Sequence, residues 1–135
     1  MRGNELKSLS VVLAGLLLLG LIAPSILAAQ TADTVDPFYE NLLEEGRILF
    51  QNGKPAEVIE NLQIAFFGFL DHPNRLLECY VYLAVCHFQQ KNYEKARYYV
   101  LEIKKLKLED HMAEVKFPEV LAKKYAEISP KLIKS

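Results

Sequence analysis

The stretch from Tyr80 to Val100 reads YVYLAVCHFQQKNYEKARYYV, and it gathers the chain's two most reactive residue types, Cys86 and His87, among five tyrosines. A thiol beside an imidazole invites two readings, a metal site or a nucleophile with its base. A metal site needs three or four converging His, Cys or carboxylate ligands. Adjacent residues on a helix point about 100° apart, so Cys86 and His87 cannot both face one ion. A nucleophile needs a base and an orienting group within reach. The other histidines, His72 and His111, fall in segments that read as loops, and there is no G-x-S-x-G, no glycine-rich surround to either cysteine and no phosphate-cradling loop. The residues therefore read as packing residues, with no catalytic, cofactor-binding or metal-binding role expected.

Cys79 and Cys86 lie seven residues apart. On one helix their Cα atoms would be about 10 Å apart, beyond the reach of a disulfide, and on the same face two turns apart. That is the spacing of two buried free thiols.

The elements that would position these residues are helices, since no segment alternates at period two. Asp36-Pro37 starts the first, with Asp as cap and Pro at the first helical position, and Gln51-Asn52-Gly53-Lys54 ends it. Pro55 opens the second, whose apolar residues Val58, Ile59, Leu62, Ala65, Phe66 and Phe69 keep three-and-four spacing. After the break Asp71-His72-Pro73-Asn74, a third helix is predicted from about Arg75 to Gln89 and a fourth from about Tyr93 to Lys105. Lys107 to Lys116 reads as a loop or frayed turn. Pro118 opens a last helix that Pro130 is expected to end.

Two features lie outside this all-α pattern. Residues 1–29 carry a short basic start, Arg2 and Lys7, an apolar run from Val11 to Ile22, then Pro24 and the small pair Ala28-Ala29, which is the layout of a secretory signal; an uncleaved membrane anchor is the alternative. Either reading places the remainder outside the cytoplasm, in a bacterial periplasm or cell envelope, with residues 30–36 as linker and 37–135 as one helical domain. Membrane contact is expected only through the N-terminal segment. Charge is also polarised: nine acidic and three basic residues from Asp33 to Gln90, seven acidic and eleven basic from Lys91 to Ser135. No uniformly basic stripe points to nucleic acid.

Paired helices invite a search for internal period. Gly46 and Ala84 are related by a shift of 38 residues, as are Gly53-Lys54-Pro55-Ala56-Glu57-Val58 and Lys91-Asn92-Tyr93-Glu94-Lys95-Ala96, and one further shift reaches Ala122. Small residues at such positions let two helices approach closely while larger ones fill the space around the contact. The second unit, Tyr80-x-x-Leu83-Ala84-x-x-His87 followed by Tyr93-x-x-Ala96 and Val100-x-x-Ile103, resembles the tetratricopeptide repeat (TPR) family. Unit one keeps Gly46, Gly53 and Ala65 but has Pro55 and Val58 where Tyr and Ala are usual, and the 38-residue period exceeds the family's usual 34. The extra residues are expected around Phe67 to Asn74. The units would span about 37–73 and 75–108, with a capping helix at about 118–128.

The resemblance implies a scaffold that binds a protein or peptide through the first helix of each pair. It implicates Glu40, Leu43, Arg47 and Phe50 in unit one, and Glu78, Val81, Val85 and Phe88 in unit two. The Lys-and-Asn arrangement that holds carboxylate tails in that family is replaced here by Leu43 and Arg47, Val81 and Val85, so an apolar or helical peptide is the expected ligand. A structural or assembly subunit of an envelope complex, as homo- or hetero-oligomer, is the alternative, prompted by the aromatic run Phe66-Phe67-Gly68-Phe69-Leu70. Lys104, Lys105, Lys123 and Lys124 offer a competing basic surface.

Overall fold

The computed structural model describes residues 34–134. The expected N-terminal signal or anchor lies outside them. Val35–Ser135 is a compact unit by itself, and its described residues hold five α-helices and no strand. The helices are α1 (Pro37–Gln51), α2 (Pro55–Ala65), α3 (Pro73–Gln89), α4 (Tyr93–Lys105) and α5 (Glu119–Lys134). Two single 3₁₀ turns, Phe66–Phe69 and Leu108–His111, join α2 to α3 and α4 to α5.

Local chemistry accounts for most boundaries. Asp36 Oδ1 accepts from the Phe38 N–H at 2.9 Å, and Asn92 Oδ1 accepts from the Lys95 N–H at 3.3 Å, so each cap satisfies one orphan donor of its helix. Proline stands at the start of α1, α2 and α3, where its missing N–H costs nothing. Helix α3 therefore begins at Pro73, two residues before the Arg75 expected from the pattern. The α-helix of the second element also stops early, at Ala65, and Phe66–Phe69 tightens into the 3₁₀ turn. Tyr39 covers that turn so closely that a Cβ on Gly68 would overlap its side chain.

The turns after α1 and α3 are copies of one another, bond for bond. Asn52, Gly53 and Lys54 donate to the carbonyls of Ile48, Phe50 and Leu49; thirty-eight positions on, Gln90, Lys91 and Asn92 donate to those of Cys86, Phe88 and His87. This is the Schellman arrangement, whose middle residue must be left-handed. Gly53 takes that conformation at φ 69°, and Lys91 takes it at φ 61° although it is not glycine. The side chains above the turns repeat as well. Gly46 is buried on α1, and a Cβ there would sit 2.7 Å from Leu62 Cδ2 of α2. Ala84 on α3 and Ala96 on α4 are fully buried.

Consecutive helices pack on one another, and α3 also meets α5. As a result Leu76 through His87 are all buried, more than three turns of helix with no solvent face. Tyr80, Tyr82, Cys79 and Cys86 are enclosed there together with the aliphatic residues of the helix.

Pro130 does not end the last helix, which runs through it to Lys134. In the register of the two Schellman turns Pro130 matches Lys54 and Asn92, the residues whose N–H closes the turn, and proline has no N–H to offer. Continuing the helix removes the bond that residue 130 would make to the Ala126 carbonyl, yet tertiary contacts hold the segment. Leu132 is buried, and its carbonyl accepts from Arg97 Nε at 3.1 Å.

Two measurements check this packing. Ala84→Leu should destabilise the full chain by about 1–3 kcal/mol, because added methylenes at a close helix contact force neighbours off their rotamers; chemical unfolding read by circular dichroism gives the value. Pro130→Ala should stabilise by about 1–3 kcal/mol by restoring the helical bond and removing the ring clash. A loss of stability there would mean that α5 breaks at 130.

Candidate functional site

The first helices of the two pairs bring all eight sequence-predicted residues onto neighbouring elements, but they do not leave them all available. Leu43, Val81 and Val85 are buried and help to form the core, and Glu78 is buried beside them. The three on α3 are enclosed because α2, α4 and α5 pack on that helix and Arg47 and Phe50 of α1 reach it, and Leu43 on α1 is enclosed with them, which a helix-by-helix reading of the pattern does not show. Glu40, Arg47, Phe50 and Phe88 remain at least partly exposed.

The charged members are occupied with one another. Arg47 Nε donates to Glu78 Oε1 at 2.7 Å and a terminal nitrogen, Nη2, donates to Oε2 at 2.9 Å, while Nη1 donates to Glu44 Oε2 at 2.7 Å. Arg75 Nε donates to Glu40 Oε1 at 3.0 Å, and its Nη1 approaches Glu78 Oε2 at 3.8 Å. The planar guanidinium suits a two-toothed grip on a carboxylate. Hydrogen bonding to Glu78, against the opposing effect of burial, holds the Arg47 guanidinium above its ordinary pKa. Glu78 is thus a buried carboxylate whose two oxygens are both held by a partner on another helix, and the network ties α1 to α3. Glu44 and Arg75 are the members that the sequence reading did not single out; each stands three residues before its partner, Arg47 or Glu78, and that spacing is the signal that links them.

The exposed remainder is aromatic. Phe50 meets Tyr82 edge-on with ring centroids 5.2 Å apart, and Lys124 Nζ of α5 lies 5.9 Å from the Phe50 centroid. Phe88 meets Tyr93 edge-on at 5.0 Å. Two shallow depressions flank these rings. One, of about 260 Å³, is lined by Phe50, Gly53, Pro55, Gln89, Val120 and Lys124. The other, of about 220 Å³, lies between α3 and α5 beside Val85, Phe88 and Lys131, and shares Gln89 and Lys124 with the first. Gln89 and Lys124 thus join the two into one surface with an apolar floor and with Lys124, Lys131 and Glu127 at its edge. The sequence reading missed Gln89 and named Lys124 only as part of a separate basic surface, because the place of each here follows from how α5 lies against α3.

The residues that invited a chemical reading are enclosed. Both cysteines are free and buried. Burial raises the Cys79 thiol far above its ordinary pKa and pushes Cys86 up to about 12, with Lys124 pulling the latter back slightly. A thiol in that state is a poor nucleophile. His87 stacks on Tyr99, rings 5.7 Å apart and 15° from parallel. Burial, with a smaller contribution from the Lys95 charge, lowers its pKa below the ordinary 6.5. Among the described residues no group of three or more His, Cys, Asp or Glu is placed to hold a metal ion.

His87 makes stability depend on pH. The unfolded chain binds a proton there near pH 6.5 while the folded chain resists it, so the stability present above pH 6.5 declines as pH falls through that value toward the folded pKa. Denaturant midpoints taken from pH 7.5 down to 5 should show the decline, and His87→Phe, which keeps the stack on Tyr99, should flatten it.

No protein-family model, curated protein or solved structure matches this chain.

Proposed function

We propose that the chain is an exported, non-catalytic helical-repeat scaffold of the TPR-like kind, binding an apolar or helical peptide segment in the cell envelope. The observation that carries this reading is the duplicated turn: three hydrogen bonds and a left-handed residue recur at a shift of 38, together with the buried small residues Gly46 and Ala84. Repetition of one helix-turn-helix unit is what stacked repeat proteins share, and their usual work is recognition across the surface that the stack creates.

The binding surface in this reading is the one bordered by Phe50, Phe88, Gln89 and Lys124. It has two aromatic rings partly open to solvent, an apolar floor and lysines at the edge. Aromatic anchors in such settings carry a disproportionate share of binding energy. Lys124 favours a peptide with an acidic residue beside its apolar ones, whereas Lys131 already pairs with Glu127 at 3.8 Å. Arg47 is better assigned to the tie between α1 and α3 than to a partner, since three of its N–H groups are already engaged.

A second reading, an assembly subunit, draws on a separate surface. Phe67 and Leu70, beside the first 3₁₀ turn, are each more than half exposed, as is Phe38 at the start of α1. A permanent complex would cover them.

Photo-crosslinking in the native envelope separates the two. A benzoyl-phenylalanine at Gln89 should give a defined adduct, and Lys124→Glu should deplete it about tenfold or more, consistent with loss of one hot-spot contact. An adduct formed only from position 67, unaffected by Lys124→Glu, would favour the assembly subunit.

A further inference from the structure

A cleft of about 720 Å³ lies on the side of α5 away from the surface just discussed. Val81 and Val100 form its floor, Met112 and Phe117 one wall, and the α5 residues Ala122 and Ala126 the other. Lys104 and Glu109, with charged atoms 3.9 Å apart and each about half exposed, stand at its rim. Val81 and Val100 are also buried core residues of α3 and α4, so the cleft continues the seam between those two helices out to solvent.

Internal repetition shows what covers such a cleft. At the register of Gly46 the small residue is covered by α2, whose Leu62 sits over it; at Ala84, on α3, the small residue is fully buried and α4 packs on the same helix. At the third register Ala122 is exposed, and so is Ala126 one turn on. Helices α1 and α3 turn back little more than one turn beyond their small residue, whereas α5 runs on to Lys134 because Pro130 cannot close the turn. No described helix comes back over Ala122.

We propose that this face of α5 is a docking site for an amphipathic helix from another protein, laid antiparallel to α5 with a large aliphatic side chain seated over Ala122. The site rests on the repeat reading, because α2 and α4 define its occupant. That occupant carries apolar residues at three-and-four spacing, as in the stripe Ala96, Val100 and Ile103 of α4. Its flanks carry both signs of charge to meet Lys104 and Glu109. Insertion of a helix into an apolar groove is a recurrent mode of recognition, and here the groove is one the fold has already filled twice from within.

The probe is a fluorescein-labelled peptide of residues 92–106, that is α4 with its Asn92 cap, hydrocarbon-stapled on the face opposite Ala96 and Val100 so that it is helical when free. Added to the full chain in detergent, it should bind saturably. Ala126→Glu should weaken it about tenfold or more by burying an unpaired charge. Ala122→Leu should leave the Tm within about 3 °C of the parent, because the added side chain points into open space. Absence of binding, or binding indifferent to Ala126→Glu, overturns the proposal. So does a Tm loss for Ala122→Leu as large as that for Ala84→Leu, which would mean that the face is already covered while the repeat reading stands. If Ala84→Leu itself melts like the parent, the repeat reading fails instead. Sedimentation showing a dimer that Ala126→Glu dissolves would assign the cleft to a second copy of this chain and overturn the choice of a foreign helix.

Discussion

A helix buried on every side has to find a partner for each polar group it carries, and α3 is such a helix. Its burial from Leu76 to His87 sets the terms for the rest of the domain. Glu78 can be there only because Arg47 reaches across from α1 with two hydrogen bonds and Arg75 approaches from one turn away. A buried ion pair of this kind contributes little net stability, since desolvation offsets most of the attraction, but the loss of either partner leaves an uncompensated charge. It therefore fixes the register of α1 against α3 more than it strengthens the contact. His87 is accommodated differently, as a neutral ring stacked on Tyr99.

The aromatic side chains extend this arrangement. Tyr80 and Tyr99 lie 5.3 Å apart, Phe66 approaches Tyr80 at the same distance, and Phe66 stacks on the exposed Phe67 at 4.4 Å. Burial raises the pKa of Tyr80 and of Tyr82 to about 12, so neither hydroxyl ionises under ordinary conditions. The five tyrosines of the α3–α4 hairpin are thus mostly structural, with Tyr93 and Tyr98 about half exposed at its margins.

Helix number, four of the helix starts and the turn at Gly53 were legible in the sequence because each depends on local chemistry: a proline without an N–H, an Asp or Asn side chain within reach, a glycine free to be left-handed. The free thiols were legible too, from spacing alone. Pro130 was misread because proline acts in two ways. It weakens a helix interior, and it also removes the donor that this particular turn requires; only the hydrogen bonds of the two earlier turns show that the second effect applies at that register. The candidate surface was half legible. Phe50 and Phe88 were reached through the repeat resemblance, whereas the enclosure of Leu43, Val81 and Val85 and the arrival of Lys124 depend on how the helices pack together, which no local pattern encodes.

The two enclosed thiols give the fold a directional character in any oxidising medium. While α3 is helical, Cys79 and Cys86 are held too far apart to bridge and are hidden from oxidants. Once the helix opens, the same seven-residue separation becomes a short, easily closed loop, and the thiols return to their ordinary acidity. A bridge formed then cannot be fitted back into the helix. Oxidation of the opened chain therefore drains the folded pool, and because bridge formation is slow beside refolding of a small domain, the working lifetime in such a medium follows the fraction of chains in which α3 is open.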